Sequence, residues 1–327
     1  MKSEVIRIGS RGSDLALWQA RWVQQQLTAA DGAVEVTIDI IKTKGDKVLD
    51  SPLSKIGDKG LFTREIEHAL LSGEIDLAVH SLKDLPTELP EGLVIGAVCE
   101  REDVRDVFIP HPGNAARRLS DQPEGARIAT GSLRRKCQLL SFRKDFTVVD
   151  LRGNLNTRLK KLEESAWAGM VLARAGVVRL GWQDLIGETI DTNIILPAVG
   201  QGALAIEIRA DDVRMAARTA PLSHQPTLQA TTAERALLRT LEGGCQIPVG
   251  TFARLDKRGD PDNLVVDAMV GSLDGRRIVR AALAGRAAES DSIGRRLAAT
   301  LLDLGAHKIL AEIRASIPEQ DPRTIEA

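Results

Sequence analysis

Ala126-Arg127-Ile128-Ala129-Thr130-Gly131-Ser132-Leu133-Arg134-Arg135 carries the grammar of the whole fold. Its first four residues suit a short strand, Thr130-Gly131-Ser132 is a polar turn, and Leu133 opens a helical run toward Phe142. The pattern returns at once. Strand-like residues 147–151 lead into Arg152-Gly153-Asn154 and a helix predicted from about Asn156 through Glu164. It is already present near the start, where Val5-Ile6-Arg7-Ile8-Gly9 passes through Ser10-Arg11-Gly12-Ser13 into a helical pattern over 15–27, with Ser13 as N-cap. Such alternation predicts an α/β fold with mainly parallel sheets, and ligands on those sheets bind beyond the carboxyl ends of the strands. Arg11, Arg134, Arg135, Arg152 and Arg158 stand at those ends.

Working outward, residues 74–80 read as another strand that runs into Ser81-Leu82-Lys83-Asp84-Leu85-Pro86, again placing charge after a strand. The lysine- and glycine-rich stretch 43–60 exceeds the length of about 12–15 residues beyond which loops are usually functional or mobile, so it reads as a lid over an anion or as a solvated loop. Residues 191–207 look like an extended crossing segment, with Gly200-Gln201-Gly202 as a hinge between two lobes. After Pro221 the pattern changes. A helix follows in which Thr231 and Glu234 have capping-box spacing, then the loop Leu241-Glu242-Gly243-Gly244-Cys245-Gln246-Ile247-Pro248-Val249-Gly250, strands at 264–269 and 277–282, and a helix over 292–304. The expected organisation is three domains: 1–102 with 203–220, 103–202, and a small α/β domain over 221–327 that carries Cys245.

Composition narrows the function classes. With 44 Lys+Arg against 45 Asp+Glu, five phenylalanines, four tryptophans and no tyrosine, the chain is not suited to coating itself in nucleic acid. No stretch approaches the roughly 18 apolar residues of a membrane span, and the first residues lead directly into a strand, so no membrane association and a cytoplasmic location are expected. Three cysteines, Cys99, Cys137 and Cys245, form no close pair, and five histidines show neither HExxH spacing nor clustering with cysteine. We therefore expect no disulfide and no metal site. Cys99 and Cys137 read as packing residues.

Arginines at helix starts, with the Ser13, Thr130 and Ser132 hydroxyls beside them, make anion sites, because free backbone N–H groups and guanidinium forks favour carboxylate or phosphate. Four such loops on one cleft imply a ligand with many negative charges. Asp84, among Lys83 and these arginines, could stabilise a cation formed during a reaction or pass a proton to a leaving group. Cys245 follows a helix end, where the dipole disfavours thiolate, so its sulfur suits a single reaction better than repeated turnover. The residues by themselves also permit a binding protein or ligand-sensing regulator that performs no chemistry.

Ser81-Leu82-Lys83-Asp84-Leu85-Pro86, Leu133-Arg134-Arg135, Leu151-Arg152-Gly153-Asn154, Pro197-Ala198-Val199-Gly200-Gln201-Gly202 and Gly243-Gly244-Cys245-Gln246-Ile247-Pro248-Val249-Gly250 together resemble the porphobilinogen deaminase (hydroxymethylbilane synthase) family, in family order, over about residues 5–310. The resemblance implies two lobes like those of type II periplasmic binding proteins, a cleft between them, and a third domain. It implies a monomeric transferase of tetrapyrrole (haem) biosynthesis that condenses four porphobilinogen molecules head to tail, with loss of ammonia, and releases hydroxymethylbilane by hydrolysis. Its dipyrromethane cofactor would be joined by a thioether to Cys245, with Asp84 as the catalytic aspartate. By motif position, Arg11, Ser13, Ser81, Lys83, Thr130, Ser132, Arg134, Arg135, Arg152, Arg158 and Arg179 would bind carboxylates of cofactor and substrate. Lys55 and Lys59 match lid lysines, and Phe62 an aromatic near the cofactor. Two departures stand out: Gly131 replaces a common serine, removing a hydroxyl, and Asp58 replaces a common glycine in the lid.

Overall fold

Two five-stranded sheets with one and the same strand pattern build the body of the protein. The computed structural model describes residues 4–32, 34–47, 60–241, 247–256 and 259–316. The first sheet contains β1 (Glu4–Ser10), β2 (Val34–Ile40), β3 (Leu77–Ser81), β4 (Leu93–Val98) and β10 (Leu204–Arg209), in the order β2-β1-β3-β10-β4. The second contains β5 (Asp106–Pro110), β6 (Arg127–Ala129), β7 (Thr147–Val149), β8 (Gly169–Ala173) and β9 (Glu188–Thr189), in the order β7-β6-β8-β5-β9. In each, three neighbouring strands run parallel and the fourth runs against both of its neighbours. That fourth strand is the one the chain supplies on crossing between sheets: β5 on the way out, β10 on the way back.

The two crossing segments, 99–105 and 190–203, lie side by side. Glu102 N–H donates to the Gly202 carbonyl at 3.3 Å, and Arg101 Nε donates to the Gln201 carbonyl at 2.7 Å.

Helices α1 (Asp14–Ala30), α2 (Arg64–Leu71), α3 (Leu133–Phe142), α4 (Leu155–Glu163), α5 (Arg174–Arg179) and α6 (Val213–Thr219) belong to this two-sheet body. The polar turns after β1, β6 and β7 work as caps, since Ser13, Ser132 and Asn154 side chains accept from the N–H groups of Ala16, Arg135 and Thr157. Those turns therefore fix the helix starts at the carboxyl ends of the strands. Alternate residues of β5 enter opposite cores: Phe108 packs with Ile128 and Val171, whereas Val107 and Ile109 pack with Met170 and Leu172. Burial on both faces explains why these strands are apolar throughout.

The last unit is an antiparallel sheet of β11 (Val249–Leu255), β12 (Asn263–Gly271) and β13 (Ile278–Arg286), covered by α7 (Gln225–Thr240), α8 (Ser290–Leu301) and α9 (His307–Ser316). Leu264, Val266, Ala268 and Val270, every second residue of β12, join Ala233, Leu237, Ile293 and Leu297 in its core.

Three sequence expectations change. Thr231 is not a cap but lies inside α7, where its hydroxyl donates to the Thr227 carbonyl, and Glu234 is buried rather than folded back on a helix start. Residues 191–203 are a run of turns rather than an extended segment, because Gly200 and Gly202 adopt φ of 69° and 92°. Val249 and Gly250, read as loop, begin β11, and α9 was not foreseen. Cys99 and Cys137 are buried free thiols, as their reading as packing residues anticipated. No helix among the described residues is long and apolar enough to cross a membrane, and no group of metal-ligating side chains occurs among them.

Candidate functional site

The β3 strand ends at Ser81 and turns immediately into a single 3-10 turn, Leu82–Asp84. Leu82 and Leu85 are the buried feet of that turn, packed against Val98, Ala203 and Ala205, so Asp84 is left exposed and Lys83 half-buried between lobes. Across from it, α3 brings Arg135, α4 brings Arg158, and α5 brings Arg179. Ser81, Lys83, Arg135, Arg158, Arg179, Gln201 and Gly202 line one cleft of about 450 Å³, with Leu15, Leu155, Leu172 and Gly176 supplying apolar wall. No carboxylate lines it among the described residues.

Each of the three arginines is held from behind. Arg158 Nε donates to the Gly153 carbonyl at 2.8 Å; Arg179 donates to the Gly202 carbonyl at 2.8 Å and lies over the Trp18 ring. Arg135 donates to Asp106 Oδ1 at 2.8 Å and to the Val171 carbonyl at 3.1 Å, while its Nε is buried without an acceptor among the described residues. Ser81 Oγ accepts from Gln19 at 2.8 Å. The lobes also touch directly, through Asn156 Nδ2 donating to Asp14 at 2.5 Å.

Crowding of like charge leaves its mark on basicity. Burial, with Arg135 and Arg152 nearby, lowers Arg158 to about 10 against the partial relief of Asp84 and Asp150. Burial likewise pulls Lys83 below the usual lysine range; Asp84 and Asp106 oppose the shift, and Arg135 and Arg158 add to it. Burial lowers Arg179 as well. A multiply charged carboxylate would oppose all three shifts, which fits the cleft to a polycarboxylate such as a dipyrromethane with its acid side chains.

Arg134 takes a different place from its neighbour. It is 4% exposed, donates to Asp106 Oδ2 at 2.7 Å and to the Leu196 carbonyl at 2.6 Å, and is not part of the cleft wall. Asp106 is the residue that sequence reasoning missed. Burial opposes its ionisation, but Arg134 and Arg135 override that and hold it well below the usual carboxylate range. Gln201, read as hinge, also donates to Asp106 Oδ1 at 2.9 Å. The available signal was a lone acid opening the apolar run Val107-Phe108-Ile109, since a buried carboxylate requires partners.

Of the remaining expected residues, Arg11, Ser13, Thr130, Ser132 and Arg152 do not line that cleft. Thr130 is buried and accepts from Ser132 N–H at 3.3 Å; Ser13 and Ser132 accept at helix starts and keep their own O–H protons for a ligand. Arg11 lies over the Phe62 ring at 4.2 Å, and that ring packs on Gly45, tying the two ends of the 43–60 stretch to the loop after β1. Arg152 is half-buried beside Arg158. Cys245, Lys55, Lys59 and the departing Asp58 lie outside the described residues. The other departure has a steric cause: a Cβ on Gly131 would stand 2.5 Å from the Leu151 carbonyl oxygen, so serine could enter only with a backbone shift.

Family comparisons agree with this geometry. Residues 6–217 match the family model described as porphobilinogen deaminase, dipyromethane cofactor binding domain, and 228–303 match the porphobilinogen deaminase C-terminal domain. Porphobilinogen deaminase of Carboxydothermus hydrogenoformans is 50% identical over 319 residues, covering 98% of this chain and 100% of the relative. That of Desulfitobacterium hafniense is 52% identical over 312 residues, covering 95% and 98%. Among solved structures, the VFT2 domain of Bordetella pertussis BvgS is 14% identical, covers 66% of this chain and 85% of that one, and has a TM-score of 0.40. With both family models matched in order along nearly the whole length, this chain belongs to the porphobilinogen deaminase family.

Proposed function

We propose that this protein joins four porphobilinogen molecules head to tail, releasing ammonia at each addition and hydroxymethylbilane at the end, as a step of tetrapyrrole biosynthesis. The observation that carries this reading is the convergence of Lys83, Arg135, Arg158 and Arg179 on one cleft with no carboxylate in its wall among the described residues. Cys245 is the attachment point, and the bound dipyrromethane supplies a covalent primer to which pyrroles are added. The cationic wall binds carboxylates and fixes the orientation of each incoming ring. Asp84, exposed at the turn after β3, presents a carboxylate beside Lys83; it assists departure of the amine and offsets positive charge developing on a pyrrole. Arg11, Ser13, Ser81, Thr130, Ser132 and Arg152 add further contacts, while Arg134 holds Asp106 and through it Arg135. Lys55, Lys59 and Phe62 belong to a lid, and Gly200-Gln201-Gly202 is the hinge between domain 1 (1–102 with 203–220) and domain 2 (103–202), with 221–327 as the C-terminal domain.

The protein acts as a cytoplasmic monomer that uses neither nucleic acid nor membrane, and two buried free thiols fit a reducing compartment. The deciding experiment is intact-mass measurement of the purified protein with peptide mapping, followed by incubation with porphobilinogen and assay of ammonia. A two-pyrrole adduct on Cys245, lost in Cys245→Ser together with turnover, is the expected result. Full turnover by Cys245→Ser removes the tether, and a chain that stays bare and releases no ammonia overturns the enzymatic reading.

A further inference from the structure

The turn that presents Asp84 is held differently on its two sides. Upstream, sheet pairing fixes it: Ser81 pairs with Leu204 of β10, Leu82 N–H donates to the Ala203 carbonyl at 3.0 Å, and His80 is joined to Glu207 at 3.0 Å. Downstream of the turn the chain continues through Leu85-Pro86. Pro86 has no N–H, so its carbonyl is its one backbone polar group. That carbonyl accepts from Arg235, 149 positions away on α7 of the C-terminal unit, at 2.7 Å.

Arg235 reaches Pro86 beside a surface groove between β4 and α7, which it lines together with Ile95, Val98, Leu228, Thr232 and Arg239. Leu228 closes the other side by packing on the cluster that holds Leu82 and Leu85. One apolar contact and one charged donor from α7 therefore bear on both feet of the Asp84 turn. Burial lowers Arg235 to about 10, Arg239 adds to the shift and Glu207 opposes it, so the guanidinium remains charged at neutral pH and keeps its donor strength.

We infer that Arg235 is a positioning residue for the reaction, setting the place of Asp84 through the Pro86 carbonyl, so that the domain carrying Cys245 also holds the carboxylate beside Lys83 in register. The inference rests on the reading of Asp84 as catalytic. A displacement of about 1 Å at a reacting group costs on the order of 100-fold in rate, so a tether two residues away has room to act.

The test compares cofactor-loaded Arg235→Gln, Arg235→Lys, Pro86→Gly and Asp84→Asn, with loading checked by intact mass and folding by thermal melting. Arg235→Gln is expected to lower kcat about 10- to 100-fold with KM changed less than about twofold, and Arg235→Lys, which keeps a charged donor, to recover most of the loss. Pro86→Gly leaves the domain boundary intact but loosens the same segment, and is expected to lower kcat in the same way; it decides the matter if Arg235→Gln does not fold. If Asp84→Asn is inactive while both Arg235→Gln and Pro86→Gly keep kcat within about twofold of the parent, the inference falls alone. A loss that tracks the melting temperature and is not rescued by lysine marks a merely structural contact and also overturns it. An active Asp84→Asn overturns the reading on which it rests.

Discussion

Glu234 and Arg101 form a bidentate ion pair at 2.7 and 3.0 Å with both side chains buried, and the pair joins all three parts of the chain. Arg101 lies in the outgoing crossing segment. The same carboxylate accepts from Gly200 N–H in the returning segment at 2.7 Å and from Ala253 N–H in β11 at 2.9 Å. One acid on α7 thus holds the two crossing segments together and ties them to the sheet that follows Cys245 in the chain. Replacing it strands a buried guanidinium and two backbone donors. Glu234→Ala is expected to cost about 3–5 kcal/mol, read from chemical denaturation, with Glu234→Gln costing less because it keeps an acceptor. A loss below about 1 kcal/mol in the alanine variant would show that the crossing is held by other contacts.

Asp106 gives the protein an acid-sensitive joint. Its carboxylate has a lower affinity for protons folded than unfolded, because Arg134 and Arg135 outweigh the effect of burial. The stabilisation is therefore present above the unfolded value of about 3.9 and is lost as pH falls below it toward the depressed folded value. Asp106→Asn is expected to remove that acid-dependent part of the stability curve and, at neutral pH, to destabilise by about 3–5 kcal/mol, since two buried guanidinium groups lose their counter-charge. Titrating stability from pH 6 to pH 3 (roughly the carboxylate range) in parent and variant checks this; parallel curves would contradict it.

How much of this was legible follows from the range of each interaction. Ser13 as a cap, the strands around Ile8, Ile128 and Val148, and the polar loops after them are local, so periodicity and turn chemistry reveal them. Glu234 was misread because Thr231-x-x-Glu234 satisfies a capping pattern in the middle of a helix as well as at its start. Its true partners are 133 and 34 positions away, and one sequence carries no signal of that pairing. Arg134 and Arg135 are adjacent and look equivalent, yet a helix turns by about 100° per residue, so one faces the cleft while the other is spent on Asp106 and Leu196. The family resemblance named both as ligands; only the fold separates them geometrically.

Gly200 couples the crossing to the Asp84 turn. Its φ of 69° is the left-handed region, and a Cβ there would stand 2.9 Å from Cγ of Leu82, the buried foot of that turn. Gly200→Ala is expected to cost at least about 1–2 kcal/mol from backbone conformation alone, and to lower kcat by moving Leu82. Gly73 provides the control, since its φ is 76° but no atom stands within 4 Å of a built Cβ. Gly73→Ala should share the stability loss and spare kcat. Equal kcat in both variants would separate Gly200 from the turn.

The cationic cleft also sets a dependence on salt and pH. Lys83 is less basic folded than unfolded, chiefly through burial, so its ammonium form costs the ligand-free protein stability below its folded pKa, and that cost is relieved as pH rises through it. A bound carboxylate favours the ammonium and makes binding take up protons wherever Lys83 is partly neutral. Porphobilinogen binding to the cofactor-loaded Asp84→Asn protein is therefore expected to weaken as pH rises through the lowered Lys83 pKa and to weaken again between about 0.02 M and 0.5 M salt, as screening lengths fall from about 20 Å to a few ångströms. Arg158→Leu, which removes a cation crowded by Arg135 and Arg152 from the opposite wall, is expected to reduce the salt slope and to raise Kd while leaving the fold intact, because its side chain is tied locally, to the Gly153 carbonyl just before its own helix. A Kd that is indifferent to both salt and pH would mean that the acid groups of the substrate are not read by this wall, and calorimetry in buffers of different ionisation enthalpy would detect the proton uptake directly.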